Sequence, residues 1–578
     1  MFRKNNRHLQ PVLISNVNDL SEKHRKRLET SWAGVFYRET FSRLDERPFS
    51  VLYADIPSRP NIPVNVLVGL ESLKADFGWS DEELYDAFTY DMQVRYALGY
   101  HQLGEGDFDL RSLYYFRERV SRYMQEKGIN LIEKAFEQVT DQQIKAYQIK
   151  TGKQRMDSTQ IASNIREMSR LQLLVEVLQR VQRMLKEEDQ KQNAEVFAPF
   201  ILGHAGQYVY HLKGQDTGEH LQKIGELMLS LLAELQPNYK QEPVYQMLER
   251  VFGEHFRVEE KFVKTKVAKE LSASSLQSPD DLEATYREKG NKSYKGYAAN
   301  LTETCDPEND LQLITKAQVA SNSVDDAKLM EEALPNLKER TELDTLYTDG
   351  GYGSSSADQT LRENQVEQIQ TAIRGRAPST EKLNLADFEI KQTETGKPTQ
   401  ITCPQGQTVA VHLSSQKKGY GAHFDTAICQ VCPFYQKGCP AQPGKRDPRL
   451  HLNFSEQQAN VSQRRRRSLA RQKEGRNLRA AIEATVREIK HPFPASKLPV
   501  RGRFRVTCMV IGSAIATNAR RIQRYLEAKT KLENEPKKAP KGQECSQDPH
   551  SVSFFGSLKA IWEGRIMPFS LQNLCLGC

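Results

Sequence analysis

Strand-like segments flank a helical block of more than a hundred residues in this 578-residue chain. Apolar residues recur at helical spacing through 165–289, and a second helical pattern covers 324–340. β-branched and aromatic residues mark the predicted strands at 153–161, 292–304, 311–321, 343–355 and 366–375. The order of one strand, a helical insertion, two strands, a helix and two strands predicts an α/β fold whose sheet is interrupted by the insertion.

The N-terminal residues 1–145 are predicted to be helical. Ser80 stands at an N-cap position with Glu83 at the capping-box position, and Asp109 begins another amphipathic helix. Short helices joined by glycine-containing turns suit a helix-turn-helix module that binds DNA, but an ordinary helical bundle shows the same spacing. Both interpretations stay open for this part of the chain.

Four of the nine cysteines lie in a segment that is poor in large apolar residues, 385–455. They are Cys403, Cys429, Cys432 and Cys439. Four thiolates at this spacing predict a closed tetrahedral Zn²⁺ site whose binding energy would help the segment to fold. The alternative is a set of thiols without a metal. An odd number of cysteines and no apolar signal sequence argue against disulfides and predict an intracellular protein.

Two aspartates lie at or near the ends of predicted strands, beside small or polar residues: Asp157 in MDST and Asp349 in TDGG. Carboxylates on neighbouring strands bind pairs of divalent ions that activate a water or a 3′-hydroxyl for attack on a phosphodiester. Mg²⁺ suits such a site because it needs few protein carboxylates and keeps water and phosphate ligands. Strand-end aspartates are also common turn formers, so the pair by itself leaves the chemistry open.

A single carboxylate lies among cations in the predicted helix at 477–490. One face of this helix carries Glu483 together with Arg476, Arg479, Arg487 and Lys490. On a solvated surface Glu483 would pair with the arginines four residues away. The alternative is a metal-binding carboxylate that is flanked by phosphate-binding cations, and it requires further carboxylates elsewhere in the chain.

Arginine is concentrated just upstream of this helix, in QRRRRSLARQKEGRNLR at 463–479. The run contains Arg464, Arg465, Arg466 and Arg467. The net charge of the chain is only +8, but a local excess of arginine with few acidic residues favours a polyanionic partner such as nucleic acid over a solvated charge run.

The two aspartates and the late glutamate together resemble the DDE transposases of bacterial insertion sequences. One large branch of that family carries the signature Y-(2)-R-(3)-E-(6)-K, and Arg479, Glu483 and Lys490 keep the R-(3)-E-(6)-K spacing. The tyrosine position holds Arg476 instead, so a role of that hydroxyl has no counterpart in this chain. The resemblance spans about residues 50–527.

The resemblance implies a ribonuclease-H-like core, in which a mixed sheet carries aspartates on its first and fourth strands and the glutamate lies on a late helix. An all-α N-terminal domain would precede this core, and a helical insertion and a β-rich zinc-binding insertion would interrupt it. The implied boundaries are 1–145 for the helical DNA-binding domain, 146–164 and 290–384 for the first part of the core, 165–289 for the helical insertion, 385–455 for the four-cysteine zinc insertion, 456–528 for the C-terminal core helices and 529–578 for a flexible linker and tail.

The resemblance also implies roles for particular side chains. Two Mg²⁺ or Mn²⁺ ions would be bound by the catalytic carboxylates Asp157, Asp349 and Glu483. DNA phosphates would be held by Arg464, Arg465, Arg466, Arg467, Arg476, Arg479, Arg487 and Lys490.

The implied activity is that of a transposase that binds terminal inverted repeats and catalyses strand cleavage and strand transfer by in-line attack. Double-stranded DNA is the expected partner, a homodimer is expected in the synaptic complex, and the expected location is the bacterial cytoplasm, at the nucleoid. The longest apolar stretch, 508–516, is too short to span a membrane. The alternatives are a ribonuclease-H-like nuclease without strand transfer and a catalytically degenerate, zinc-containing DNA-binding protein.

Overall fold

The computed structural model describes residues 1–534 except 11, 13–14, 55, 57–59, 261, 374–380, 394, 415–418, 436–437, 445–447 and 474–476. Residues 1–527 form one compact unit. Of the second unit, 528–578, the structure describes the end of a helix at 528–534. No helix in the described part of the chain is long and apolar enough to cross a membrane.

The N-terminal part is helical, and its predicted helix starts are confirmed. Ser80 and Glu83 form a capping box at the start of the helix Asp81–Tyr90, and the Asp109 side chain caps the helix Leu110–Lys127. The helices are α1 (Glu22–Thr30), α2 (Trp32–Glu39), α3 (Val64–Phe77), α4 (Asp81–Tyr90), α5 (Met92–Ala97), α6 (Leu110–Lys127) and α7 (Leu131–Ala146).

A central sheet of six strands follows, and five of them were predicted from the sequence. The strands are β1 (Lys153–Ile161), β4 (Thr285–Lys289), β5 (Lys292–Thr304), β6 (Ile314–Ser321), β7 (Thr345–Thr348) and β8 (Glu367–Gln370). Strand β5 pairs with β4 along its first half and with β6 along its second half, and both pairs are antiparallel. On its other side β5 pairs antiparallel with β1, which continues in parallel to β7 and then to β8. The order β6-β5-β1-β7-β8 therefore combines antiparallel and parallel pairs in one mixed sheet.

Helices pack on the sheet through two apolar clusters. Helices α14 (Asp326–Arg340) and α15 (Ser355–Glu363) bury their apolar residues against Met156 of β1 and Leu346 of β7. Pro335 lies inside α14, which runs through it without a break. The second cluster joins the N-terminal helices to β5, β6 and the last helix, so the described N-terminal helices share a core with the sheet.

The helical insertion is shorter than predicted. Its helices are α8 (Arg170–Met184), α9 (Glu187–Gln192), α10 (Ala194–Phe197), α11 (Ala205–Tyr210), α12 (Thr217–Tyr239) and α13 (Pro243–His255). The prediction of helix up to 289 is wrong, because a hairpin of β2 (Phe256–Glu259) and β3 (Phe262–Thr265) follows, and β4 then joins the sheet. Phe256 and Val263 of this hairpin pack at Gly225 of α12, where any Cβ would meet them closer than 3 Å. This tertiary contact favours strands over further helix.

The predicted β-rich segment forms a second six-stranded sheet in the order β13-β14-β12-β11-β10-β9. The strands are β9 (Glu389–Gln392), β10 (Pro398–Thr402), β11 (Thr408–Leu413), β12 (Tyr420–Phe424), β13 (Gln442–Pro443) and β14 (Leu450–Phe454), with the short helix α16 (Thr426–Gln430) after β12. One face of this sheet is apolar, since Phe424, Leu452 and Phe454 are buried in a common cluster. The opposite face bears the alternate residues of the same strands.

Three helices close the described chain: α17 (Glu456–Lys473), α18 (Ile482–Lys490) and α19 (Arg503–Asn534). Gly512 lets α19 approach α3 closely, because a Cβ there would stand 2.9 Å from the Cβ of Ala75. The linker predicted from 529 is partly wrong, since α19 continues to Asn534. The remainder of that linker and the tail lie outside the described residues.

Candidate active site

Asp157 and Asp349 come from adjacent parallel strands. Arg155 of β1 pairs in register with Tyr347 of β7, so the residues two positions further on, Asp157 and Asp349, lie side by side. Each carboxylate accepts a backbone N–H: Asp157 from Ser158 at 3.0 Å and Asp349 from Gly351 at 2.7 Å. Burial, together with the charge of Asp349, raises the pKa of Asp157 above its ordinary value, although Arg479 opposes the shift.

Arg479 joins the third predicted carboxylate to this pair. Its guanidinium donates to Asp157 Oδ2 at 2.7 Å and lies 3.5 Å from Glu483 Oε1. Glu483 lies on the first turn of α18, and its side chain is 65% exposed, whereas Asp157 is buried. Asp157 thus lies beside Asp349 and is linked to Glu483 through the guanidinium of Arg479.

A buried ionic network fixes α18 beside β1. Its centre is Glu303 of β5, whose carboxylate lies 2.6 Å from both Arg155 and Arg521 and accepts the Thr485 hydroxyl at 2.7 Å. Arg155 also donates to the carbonyl of Leu478, in the turn before α18, at 2.9 Å. Burial raises the pKa of Glu303, but Arg521 and Arg155 lower it further, so that it ends below its ordinary value. This network determines where Glu483 stands.

A fourth carboxylate, Asp326, was missed by the sequence analysis. It is buried on the first turn of α14 and accepts the Ser158 hydroxyl at 2.8 Å. A Cβ on Gly351 would stand 2.8 Å from Asp349 Oδ1 and 2.9 Å from Asp326 Oδ2, so these two carboxylates are close neighbours. In the sequence, Asp326 follows Asp325, which caps α14, and the pair reads only as a helix start.

Tyr352 lies behind these carboxylates and is completely buried. Its hydroxyl donates to Asn300 Oδ1 at 2.7 Å. Burial and the charges of Asp326, Asp157 and Asp349 raise its pKa well above the ordinary value, so the phenol stays neutral. The carboxylates are therefore backed by the neutral, hydrogen-bonded phenol of Tyr352 and not by another charged group.

The placement of possible ligand side chains can be compared with the Mg²⁺ or Mn²⁺ ions expected at the three carboxylates. Among the residues that the structure describes, no three His, Cys, Asp or Glu side chains are placed to bind one metal ion. At the carboxylates, Arg479 stands between Asp157 and Glu483 and supplies a positive charge there. The donor chemistry itself fits Mg²⁺, because all three residues are carboxylates and two of them lie on or directly after adjacent, paired strands.

The four cysteines predicted to bind zinc line one small cavity with Phe388 and Phe424. Burial and the nearby sulfurs of Cys403, Cys439 and Cys432 raise the pKa of Cys429 to about 11, which keeps its thiol protonated. The thiols are free, and they do not form a ligating set. The zinc site therefore stays a prediction without structural support.

The arginine run of α17 does not form a uniform cationic surface. Arg464 is 5% exposed and lies 3.7 Å from Asp358, and burial lowers the pKa of Arg467. These two residues are three positions apart and turn toward α15 and β8, and the DNA contacts expected of them stay predictions. Arg466 is exposed and pairs with Glu389 at 3.4 Å, and Arg465 is half-buried.

The cations predicted around Glu483 differ in exposure. Arg487 is exposed one turn further along α18, while Lys490 is half-buried and its pKa is lowered by burial. Arg479 contacts carboxylates, as described above, and Arg476 lies outside the described residues. Arg487 is therefore the cation of this helix that is best exposed for a phosphate.

A comparison with known families gives one match. The family described as transposase DDE domain matches residues 402–523, about a fifth of the chain. The matched segment includes Glu483 and the four cysteines but neither Asp157 nor Asp349. No curated protein and no solved structure matches the chain. The family match supports a DDE transposase, and hence an enzyme of the nuclease or transposase type with a DNA substrate.

Proposed function

We propose that this chain is the transposase of a bacterial insertion sequence, with Asp157, Asp349 and Glu483 as its catalytic carboxylates. The observation that carries the proposal is the placement of three acidic residues that are far apart in sequence. The paired strands β1 and β7 hold Asp157 and Asp349 side by side, and Arg479 links Asp157 to Glu483 of α18. Of the three carboxylates, the family match includes Glu483 and leaves out both aspartates. The placement of Asp157 and Asp349 therefore supports the proposal independently of the match.

The strand arrangement supports a ribonuclease-H-like core. Leaving aside β4, which only extends the first half of β5, the sheet strands in chain order are β1, β5, β6, β7 and β8. Asp157 then lies on the first strand, Asp349 follows the fourth, and Glu483 lies on a late helix. The spacing of Arg479, Glu483 and Lys490 supports the YREK branch. The proposed domains keep the predicted boundaries, except that the helices of the insertion end at His255 and the last core helix continues to Asn534.

In this proposal each residue has a separate task. Two Mg²⁺ or Mn²⁺ ions, when bound, activate a water or a 3′-hydroxyl and stabilise the leaving oxygen of the phosphodiester. Asp157 and Asp349 present oxygens that the parallel strands hold rigidly, and exposed Glu483 completes the set from α18. Arg479 offsets the repulsion between the carboxylates and holds α18 toward β1. Arg487 then presents its charge to a DNA phosphate.

The partners follow from the same chemistry. Transposition requires the chain to bind the terminal inverted repeats of double-stranded DNA, to cut them and to join the 3′-ends to a target, with two element ends held by a homodimer. The location would be the bacterial cytoplasm, at the nucleoid. A structural Zn²⁺ would be held by Cys403, Cys429, Cys432 and Cys439, whose thiols would have to deprotonate and move together.

A cleavage assay with Glu483→Gln tests the proposal. The substrate is DNA that carries both ends flanking the coding sequence, with Mg²⁺, and the matched control is Glu363→Gln, which changes an exposed residue of α15. We expect Glu483→Gln to lose cleavage while it keeps DNA binding, and both activities to persist in Glu363→Gln. Cleavage by Glu483→Gln at the wild-type rate would refute the assignment.

One observation favours a second candidate, a DNA-binding protein that no longer cuts. Arg479 lies between Asp157 and Glu483 and supplies there a positive charge of the kind that a divalent ion would supply to an active enzyme. Metal-dependent cleavage of DNA by the wild-type protein would exclude this candidate. Strand joining in a plasmid assay would in turn separate the transposase from a ribonuclease-H-like nuclease.

A further inference from the structure

Three histidines lie in a row on the second sheet, far along the chain from the carboxylates. His412 is on β11, His423 on β12 and His451 on β14, which are neighbouring strands. His423 pairs directly with His451, and His412 pairs with Gly421, two residues before His423. Because side chains alternate along strands, all three imidazoles project from the same face.

This face is the one that points away from the apolar core. Phe424, the next residue after His423, is buried on the opposite face and lines the cysteine cavity. His412 is exposed, and His423 and His451 are half-buried. The histidine row is therefore separated from the cysteine cavity by the backbone of the sheet.

The rings are in mutual contact. His412 Nε2 and His423 Nε2 are 3.1 Å apart, and the ring of His423 lies 4.2 Å from that of His451, centroid to centroid. Gly421 leaves space between them and Asn453: a Cβ there would stand 3.4 Å from His412 Nε2 and 3.3 Å from Asn453 Oδ1. Two imidazole nitrogens so close cannot both carry a proton toward each other, so at least one offers a lone pair.

The separation of these nitrogens matches that of two ligands on one metal ion. Zn–N bonds of about 2.0–2.1 Å at a tetrahedral angle place the two nitrogens roughly 3.3 Å apart. Imidazole is a preferred ligand of Zn²⁺, Ni²⁺ and Cu²⁺, and Mg²⁺ does not favour it. The three histidines therefore favour a transition-metal ion such as Zn²⁺, whereas the carboxylates favour Mg²⁺.

We propose that His412, His423 and His451 form a binding site for a divalent transition-metal ion, with Zn²⁺ as the first choice. His412 and His423 supply two nitrogens that already lie 3.1 Å apart. The three rings as they stand are not arranged around one ion, and His451 would complete the set once its ring turns away from that of His423. Asn453 or water fills the last position. The ion would tie β11, β12 and β14 together and stabilise the second sheet.

Metal titration of the full-length protein tests this site. We expect the wild type to bind one more Zn²⁺ per chain than His423→Gln or His412→Gln in isothermal titration calorimetry, or to bind it more than about tenfold more tightly. His211→Gln, which changes an exposed histidine of the helical insertion, is the control and should bind like the wild type. Circular dichroism of each variant checks that it is folded.

Co²⁺ spectra distinguish this site from the cysteine cavity. The difference spectrum between wild type and His423→Gln should contain visible ligand-field bands without a sulfur-to-metal charge-transfer band, because its ligands are nitrogens. A charge-transfer band in that difference would assign the ion to the thiols and overturn the proposal. Equal Zn²⁺ binding by wild type, His412→Gln and His423→Gln would also overturn it. Neither outcome depends on DNA cleavage, so the site stands or falls separately from the proposed function.

Discussion

Replacement of Glu303 by glutamine tests whether the buried ionic network holds α18 in place. Glutamine keeps the size and a hydrogen-bonding group for Thr485, but it removes the negative charge between Arg155 and Arg521. Both guanidinium groups are then left in an interior where their side chains are only 11% and 15% exposed. The helix that carries Glu483 should therefore lose its anchor to β1.

The expected magnitude follows from the partners that remain. Removal of one member of a buried ion pair costs about 3–5 kcal/mol. Arg521 still has Glu488 at 3.3 Å, so the lower end of this range, about 3 kcal/mol, applies. The pKa of Glu303 is below its ordinary value, so its contribution is complete above a pH of about 4.3 and is lost as the pH falls through the folded-state pKa. At neutral pH the whole effect should be measurable.

Hydrogen exchange monitored by mass spectrometry measures this effect locally. A cost of about 3 kcal/mol corresponds to a loss of protection of roughly a hundredfold in the amides of α18. Glu308→Gln is the matched control, because Glu308 pairs with Lys150 at the surface and its side chain is 68% exposed. Protection of α18 in Glu303→Gln that equals that of Glu308→Gln would refute the anchoring role of the network.

Two further predictions concern the site and the helical insertion. Gly351→Ala should lose DNA cleavage but keep DNA binding, because the added Cβ would stand 2.8 Å from Asp349 Oδ1. The control is Gly253→Ala in α13, which should cleave DNA normally because a Cβ there meets nothing within 4 Å. Full cleavage activity of Gly351→Ala would contradict this prediction. Burial and the charges of Arg170 and Lys266 lower the pKa of His255 to about 4. Between about pH 6.5 and 4 the unfolded chain therefore binds a proton at this histidine that the folded protein does not bind, so the free energy of unfolding should fall as the pH drops through this range. The loss should be roughly 2 kcal/mol between pH 7 and pH 5 in urea unfolding, and His255→Gln should not show it; an equal slope in both proteins would be the contrary result.

Local patterns determined much of the secondary structure. The strand that carries Asp157, predicted near 153–161, is β1 with those bounds, and the caps at Ser80 and Asp109 begin α4 and α6. Such features depend on residues within a few positions of each other, and alternation and capping report them directly. The hairpin of β2 and β3 after α13 was not predicted, because its strands are favoured by contacts with α12, which lies tens of residues away in sequence.

The site shows the same division between local and distant information. The candidate carboxylates could be chosen from the sequence, because Asp157 and Asp349 stand at or near the ends of predicted strands and Glu483 keeps a recognisable spacing to Arg479 and Lys490. The folded structure was needed to show that Arg479 contacts both Asp157 and Glu483, that Asp326 lies near Asp349, and that Arg464 is buried. The physical reason is that register, burial and ion pairing join residues hundreds of positions apart, and no periodicity along the chain records those contacts.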